Sequence, residues 1–245
     1  MENGEKLGQD REVGRIYAGI NSDGKRMLEG VLSKEGLPQF REFGAEFDRR
    51  LNVWLKFDEA SEGEVQKRLT SKIKDIEKDL GIKFFLAQRD FQLHSSLLQG
   101  EAEDTDEAET AYVSLVSEGA LSDMAETLKD KEIEFKYLLL DTKGNLILVS
   151  TKIPEEINEA RGKVDHEFTE KKVGPKEIKI LHITIGRIVD FSVDENGDVP
   201  QLLKDYKKRI IDLRHEISAN PFHLKVKSVN LAKGGVAKGG KTAPL

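Results

Sequence analysis

Two stretches decide how this chain is read: "LHITIGRI" at residues 181–188 and "LHSSLLQG" at residues 93–100. Each places a histidine two positions before a hydroxyl side chain inside an otherwise apolar run. Side chains of a strand alternate between faces, so His94 and Ser96 share one face, and His182 and Thr184 share another. The opposite face of the second stretch carries Leu181, Ile183 and Ile185, as a core requires. A single histidine of this kind is usually a half-buried strand residue with a satisfied ring nitrogen. The repeat changes that balance. His166, His215 and His223 sit in patterns with no match, whereas His94 and His182 share Leu-His-x-(Ser or Thr)-(Leu or Ile).

The segments around the two stretches follow a similar plan. In the first half, "LNVWLKFD" from Leu51 reads as a strand. A helix follows, with apolar positions Val65, Leu69, Ile73, Ile76 and Leu80 and a stop at Gly81. "IKFFLAQRDFQLHSSLLQ" reads as strand, turn at Arg89 and Asp90, then strand, and "DEAETAYVSLVSEGALSDMAETLKDK" as helix with a weak point at Gly119. In the second half, "IEFKYLLLDTKGNLILVSTK" predicts a hairpin turning at Thr142 to Asn145. A helix led in by Pro154 comes next, then the strand "IKILHITIGRIVDF", the amphipathic helix "VPQLLKDYKKRIIDLRHEIS" and a last strand "FHLKVKSVNLAK". The fold class expected is α+β, with both quoted stretches in corresponding strands.

Residues 1–48 predict a polar extension, partly helical or flexible, with "RMLEGVLSKEGLPQFREF" interrupted at Gly36 and Pro38. Residues 49–233 are expected to form the main domain, in two halves of similar plan. Residues 234–245, rich in glycine and small side chains, predict a flexible tail.

Composition narrows the chemistry. The 245 residues contain no cysteine, which excludes disulfides, thiolate nucleophiles and Cys-ligated zinc and suits a reducing compartment. The charged N-terminus has no apolar core of a signal sequence, and no apolar run reaches the roughly 18 to 20 residues of a membrane span. A cytoplasmic monomer without membrane contact is the expectation. A net charge of −6 argues against a protein that coats nucleic acid through its overall field, so any phosphate must be met locally. The acidic block from Gly100 to Thr110 reads as a solvated loop and helix start.

Two strands of this kind facing each other would supply an acid, a base and two hydroxyl donors. Neutral imidazole takes a proton from water near neutral pH and imidazolium returns one to a leaving group, while a hydroxyl can hold a phosphoryl oxygen. That set serves in-line displacement at phosphorus without a metal. No third ligand stands at a spacing that zinc would need, and no Gly-x-Ser-x-Gly elbow accompanies Ser95 or Ser96. The segment "GGVAKGG" has neither the spacing nor the following helix of a phosphate loop.

At these residues the chain resembles the 2H phosphoesterase superfamily, defined by two His-x-(Ser/Thr)-apolar motifs about one lobe apart. "LHITIGRI" is similar to the second motif of the bacterial RNA 2′,3′-cyclic phosphodiesterase group, also called LigT-like or 2′-5′ RNA ligase-like. The resemblance covers roughly residues 51–233. It implies a bilobal, pseudo-two-fold α+β fold, two antiparallel sheets lining a central cleft with helices outside, and no cofactor.

The resemblance further implies opening of a 2′,3′-cyclic phosphate on an RNA end or a small nucleotide. His182 and His94 would be base and acid, labels that could be exchanged, with Ser96 and Thr184 on the non-bridging oxygens. Both limbs of a bell-shaped pH profile would then lie near the ordinary histidine range. A 2′-5′ phosphodiesterase or RNA ligase, and a non-catalytic module holding an RNA end or nucleotide, remain alternatives. Two departures stand out: Ser95 occupies a position that is usually apolar, and the 50-residue extension lies outside the common core.

Other residues are candidates of lower rank. Arg187 and Lys179 flank the second motif, but strict alternation from His182 puts both on the far face, so substrate contact by Arg187 requires a bulge at Gly186. Lys225 and Lys227 alternate in the last strand as a basic wall or, more simply, a solvated face. Trp54, Phe91 and Tyr137 could stack on a base, although aromatic residues in apolar strands usually pack in cores.

Overall fold

A computed structural model describes residues 14–20, 22–24, 26, 48–86, 93–141, 145–176, 178–191, 199–234 and 241–245. The strands are β1 (Arg50–Phe57), β2 (Ile82–Leu86), β3 (His94–Glu101), β4 (Glu132–Phe135), β5 (Tyr137–Leu140), β6 (Asn145–Ser150), β7 (Gly174–Lys176), β8 (Leu181–Phe191), β9 (Phe222–Lys233) and β10 (Lys241–Pro244). The helices are α1 (Glu59–Val65), α2 (Ser71–Leu80), α3 (Thr105–Glu118), α4 (Ser122–Leu128), α5 (Glu155–Glu170) and α6 (Val199–Ala219). A π-helical turn, Gln66–Thr70, joins α1 to α2. Residues 14–20 add about two helical turns near the N-terminus. No helix of the described residues is long and apolar enough to cross a membrane.

Local chemistry sets the helix ends. The Asp58 carboxylate accepts from the Ser61 N–H at 2.8 Å and caps α1, and Asp104 does the same for α3 through the N–H groups of Asp106 and Glu107. The acidic block thus closes β3 and starts α3, with Asp106 and Glu107 at the positive end of the helix. Gly81 (φ 66°) and Gly119 (φ 64°) end α2 and α3 in the left-handed conformation that glycine tolerates best.

The strands form two antiparallel sheets with helices outside. One runs β10-β9-β1-β3-β7, with β4 also on β9; the other runs β2-β8-β6-β5. Strand exchange ties the halves of the chain together: β2 from the first half pairs with β8, and β9 from the second half pairs with β1. The run expected as one strand through residues 133–140 divides at Lys136, so that β4 joins the first sheet and β5 the second. The β5–β6 hairpin forms as expected, its tip at 142–144 lying outside the described residues. Leu51, Val53 and Leu55 of β1, Leu97 of β3 and Leu181, Ile183 and Ile185 of β8 are all fully buried in one core cluster.

Both ends of the chain pack against the sheets. Where a flexible tail is expected, Lys241–Pro244 form the edge strand β10 on Asn230 to Lys233, while residues 235–240 lie outside the described set. Backbone pairing on β9 orders a segment whose composition carries no strand signal. In the extension, helix 14–20 lies on the second sheet, where Tyr17 packs with Leu139, Ile147 and Val149 and its hydroxyl donates to the Ser150 carbonyl. Residues 27–47, including Gly36 and Pro38, lie outside the described residues.

One glycine is fixed by close packing. A Cβ added at Gly100 would lie 2.5 Å from Val173 and 2.6 Å from the Phe168 ring. Gly100→Ala is therefore expected to lower stability by about 1–3 kcal/mol through overpacking. A lowered urea midpoint at unchanged slope checks this.

Candidate functional site

The two quoted strands meet along the seam between the sheets. β7 pairs with Gln99, Gly100 and Glu101, and among the described residues the preceding part of β3 has no strand partner on that side. β2 pairs with β8 from Gly186 onward, and among the described residues the 181–185 edge has no strand partner on that side either. These two strands lie side by side, and the Arg161 side chain spans them. The Arg161 guanidinium of α5 donates to the Leu97 carbonyl at 3.0 Å and to the Ile180 carbonyl at 2.8 Å.

Alternation places the motif side chains as expected from each stretch. His94 and Ser96 are half-buried between the buried Leu93, Ser95 and Leu97. His182 and Thr184 are likewise half-buried between Leu181, Ile183 and Ile185. The positions paired with these residues define the rest of each cleft face, because directly opposed residues in an antiparallel pair share a face. Lys56 and Trp54 stand beside His94 and Ser96; Val149 and Ile147 stand beside His182 and Thr184. Tyr17, which packs on Val149 and Ile147, therefore brings the N-terminal helix onto the cleft side of the second sheet.

Both strands then break alternation at the same offset. Pairing passes from Trp54↔Ser96 to Val53↔Leu98, leaving Leu97 extra, and from Ile147↔Thr184 to Leu146↔Gly186, leaving Ile185 extra. A bulge of one residue turns everything beyond it onto the other face. Arg187, expected opposite His182 on strict alternation, is thereby returned to the cleft face, one residue past the glycine where a bulge was required. Gln99 occupies the equivalent position in β3, opposite Asn52. The signal for both is the pair of small or apolar residues after each hydroxyl, Leu97-Leu98 and Ile185-Gly186, which interrupts the period of two.

The electrostatics separate the two imidazoles. His182 is pushed down to about 4, chiefly by burial and then by the charge of His94, with Asp141 pulling it up and Arg161 pulling it down. That coupling places the rings within electrostatic reach of each other. Nδ1 of His182 is buried with no hydrogen-bond partner among the described residues. The His94 ring meets Trp54 edge-on, centroids 5.5 Å apart at 71°. Arg187 donates to Asn145 Oδ1 at 2.6 Å, and Asn145 in turn donates to Asp141 at 2.7 Å. Burial lowers the Arg187 pKa while Asp141 opposes it, leaving a cation partly withdrawn from water.

The remaining candidates fall elsewhere. Lys225 and Lys227 are exposed and ion-paired with Asp130 and Glu59, the solvated face that their alternation suggests. Lys179 is exposed just before β8. Tyr137 is 39% exposed opposite Val149 on the His182 face, and Phe91 lies outside the described residues. Among the described residues no three His, Cys, Asp or Glu side chains gather as a metal site.

Ser95 faces the core, fully buried, with its hydroxyl unpaired among the described residues. Ser95→Ala is expected to raise stability by up to about 1 kcal/mol, because an unsatisfied buried hydroxyl costs more than it returns. A raised thermal midpoint with intact activity checks it.

No family model matches the chain, and no curated protein matches it. Among solved structures, the conserved protein ATU0111 of Agrobacterium tumefaciens str. C58, itself described as of unknown function, aligns with a TM-score of 0.51 at 13% identity. That alignment covers 88% of this chain and 97% of the other. E. coli LigT complexed with 3′-AMP aligns at 0.45 and 13% identity over 80% of this chain and 95% of LigT. Kluyveromyces marxianus Usb1 with uridine monophosphate aligns at 0.43 and 15% identity over 81% and 99%. At 13% identity the likeness to ATU0111 concerns the fold alone.

Proposed function

We propose that this chain is a phosphodiesterase that opens 2′,3′-cyclic phosphates on RNA ends or small nucleotides by two-histidine acid and base catalysis. One observation carries the proposal: two His-x-(Ser/Thr) pairs lie on facing strand edges of one cleft, close enough for the charge of one ring to depress the pKa of the other. Burial favours the neutral form of His182, which suits the base. His182 takes a proton from water as the water oxygen bonds to phosphorus. The bond from phosphorus to the 3′-oxygen breaks, and His94 protonates that oxygen to leave a 2′-phosphate.

The hydroxyls of Ser96 and Thr184 donate to the non-bridging oxygens as negative charge grows there. Arg187, on the same face as His182 and Thr184, supplies a cation at the cleft. The charge of protonated His94 helps keep His182 neutral, so the competent pair of protonation states is self-consistent.

The direct test is turnover of a nucleoside 2′,3′-cyclic phosphate in the presence of chelator, with the product identified by phosphorus NMR. Formation of a single nucleotide monophosphate is expected. Binding without turnover would sink the catalytic reading in favour of a module that holds a nucleotide.

A further inference from the structure

We propose that Arg161 is a positioning residue, a strut across the seam that sets the separation and orientation of the His94 and His182 strands. This rests on the phosphodiesterase reading above for its catalytic consequence, but not for its geometry. The carbonyl groups that Arg161 holds belong to Leu97, three residues after His94, and to Ile180, two residues before His182. Leu97 is itself the extra residue of the β3 bulge. Among the described residues neither edge has a strand partner at these positions, so no ladder of backbone hydrogen bonds between described strands runs along the seam.

A guanidinium suits this task for geometric reasons. Its N–H groups diverge in one rigid plane, and Nε and one terminal nitrogen reach two carbonyls on separate strands at once. Lysine offers a single nitrogen on a flexible stem. Arg161 projects from α5, which is anchored in the core by Ile157, Ala160, Val164 and Phe168, so the strut stands on a rigid element. The groups whose charge bears on His182 come from three elements: His94 from β3, Asp141 after β5 and Arg161 from α5. The Arg161 charge also reaches the buried Tyr17 hydroxyl from the N-terminal helix. Arg161 therefore acts on the base twice, holding its strand and favouring its neutral form.

The test compares Arg161→Met and Arg161→Lys with the parent in two readouts, kinetics on a nucleoside 2′,3′-cyclic phosphate and NMR titration of the histidine ring protons. Arg161→Met is expected to lower kcat about 100-fold with KM changed less than about threefold, as a displacement near 1 Å would. Its His182 resonance should titrate at higher pH. Arg161→Lys keeps the charge and should leave the His182 titration near the parent, yet lose at least about tenfold in kcat because one nitrogen cannot hold both strands.

Folded Arg161→Met with parental kcat and a parental His182 titration would overturn the proposal, whatever its thermal midpoint. If Arg161→Met does not fold, Arg161→Lys decides: parental kcat there rejects the strut. If the parent itself lacks turnover, the phosphodiesterase reading fails separately. The strut is then decided by nuclear Overhauser contacts between β3 and β8, weakened in both Arg161→Met and Arg161→Lys if it holds and parental in both if it does not.

Discussion

His94→Ala and His182→Ala are each expected to lower kcat/KM for a nucleoside 2′,3′-cyclic phosphate by about 100- to 10,000-fold, the range for loss of one general acid or base. The two rings serve one event. In the proposed mechanism water attacks phosphorus only as His182 accepts its proton, and the 3′-oxygen departs only as His94 supplies one. The double variant should therefore lose little more than the poorer single variant, since residues that act as a unit are not additive. Folding is a separate question for His182, whose ring is largely buried, so both variants need parental circular dichroism before their rates are compared. A folded His182→Ala variant with even a tenth of parental activity would remove the base from the mechanism. Near-parental activity in His94→Ala would remove the acid.

The acid limb of kcat/KM against pH is expected near 4, well below the histidine range that the sequence suggests, because His182 titrates at about 4 in the folded chain. kcat/KM reports the free enzyme, and the base must be neutral, so activity should persist down to that pH before falling. Stability carries the same signature. The unfolded histidine has a pKa near 6.5, so between 6.5 and 4 the unfolded chain binds more protons than the folded one.

The contribution of His182 is thus fully present above 6.5, declines as pH falls and is gone below about 4. It amounts to at most about 3 kcal/mol. The difference in unfolding free energy between parent and His182→Asn should shrink across that window in the parent's disfavour. A difference that stays flat from pH 7 to 4 would show that the ring is not held neutral by the fold.

Much of the site was legible because it is local. Alternation within a strand depends only on the backbone of that strand, and it put His94 with Ser96 and His182 with Thr184 on shared faces before any partner was known. Helix stops at Gly81 and Gly119 were equally local, since a left-handed residue needs no tertiary support. Arg187 was placed on the wrong face by strict alternation because a bulge is a property of a pair of strands. Ile185 is extra only relative to β6, and Leu97 only relative to β1. Gln99 was missed for the same reason.

The sequence by itself determined the residue types of the site, their pairing on strand faces and the α+β succession of elements, all of which follow from short-range geometry and apolar periodicity. The tertiary structure decided which strand edges meet. It sent β2 to β8 and β9 to β1, drew the tail onto β9, laid Tyr17 over Ile147 and Val149, and set Arg161 between strands far from it in the chain. It also decided the protonation of His182, because desolvation and the field of neighbouring charges exist only once the core has closed around the ring.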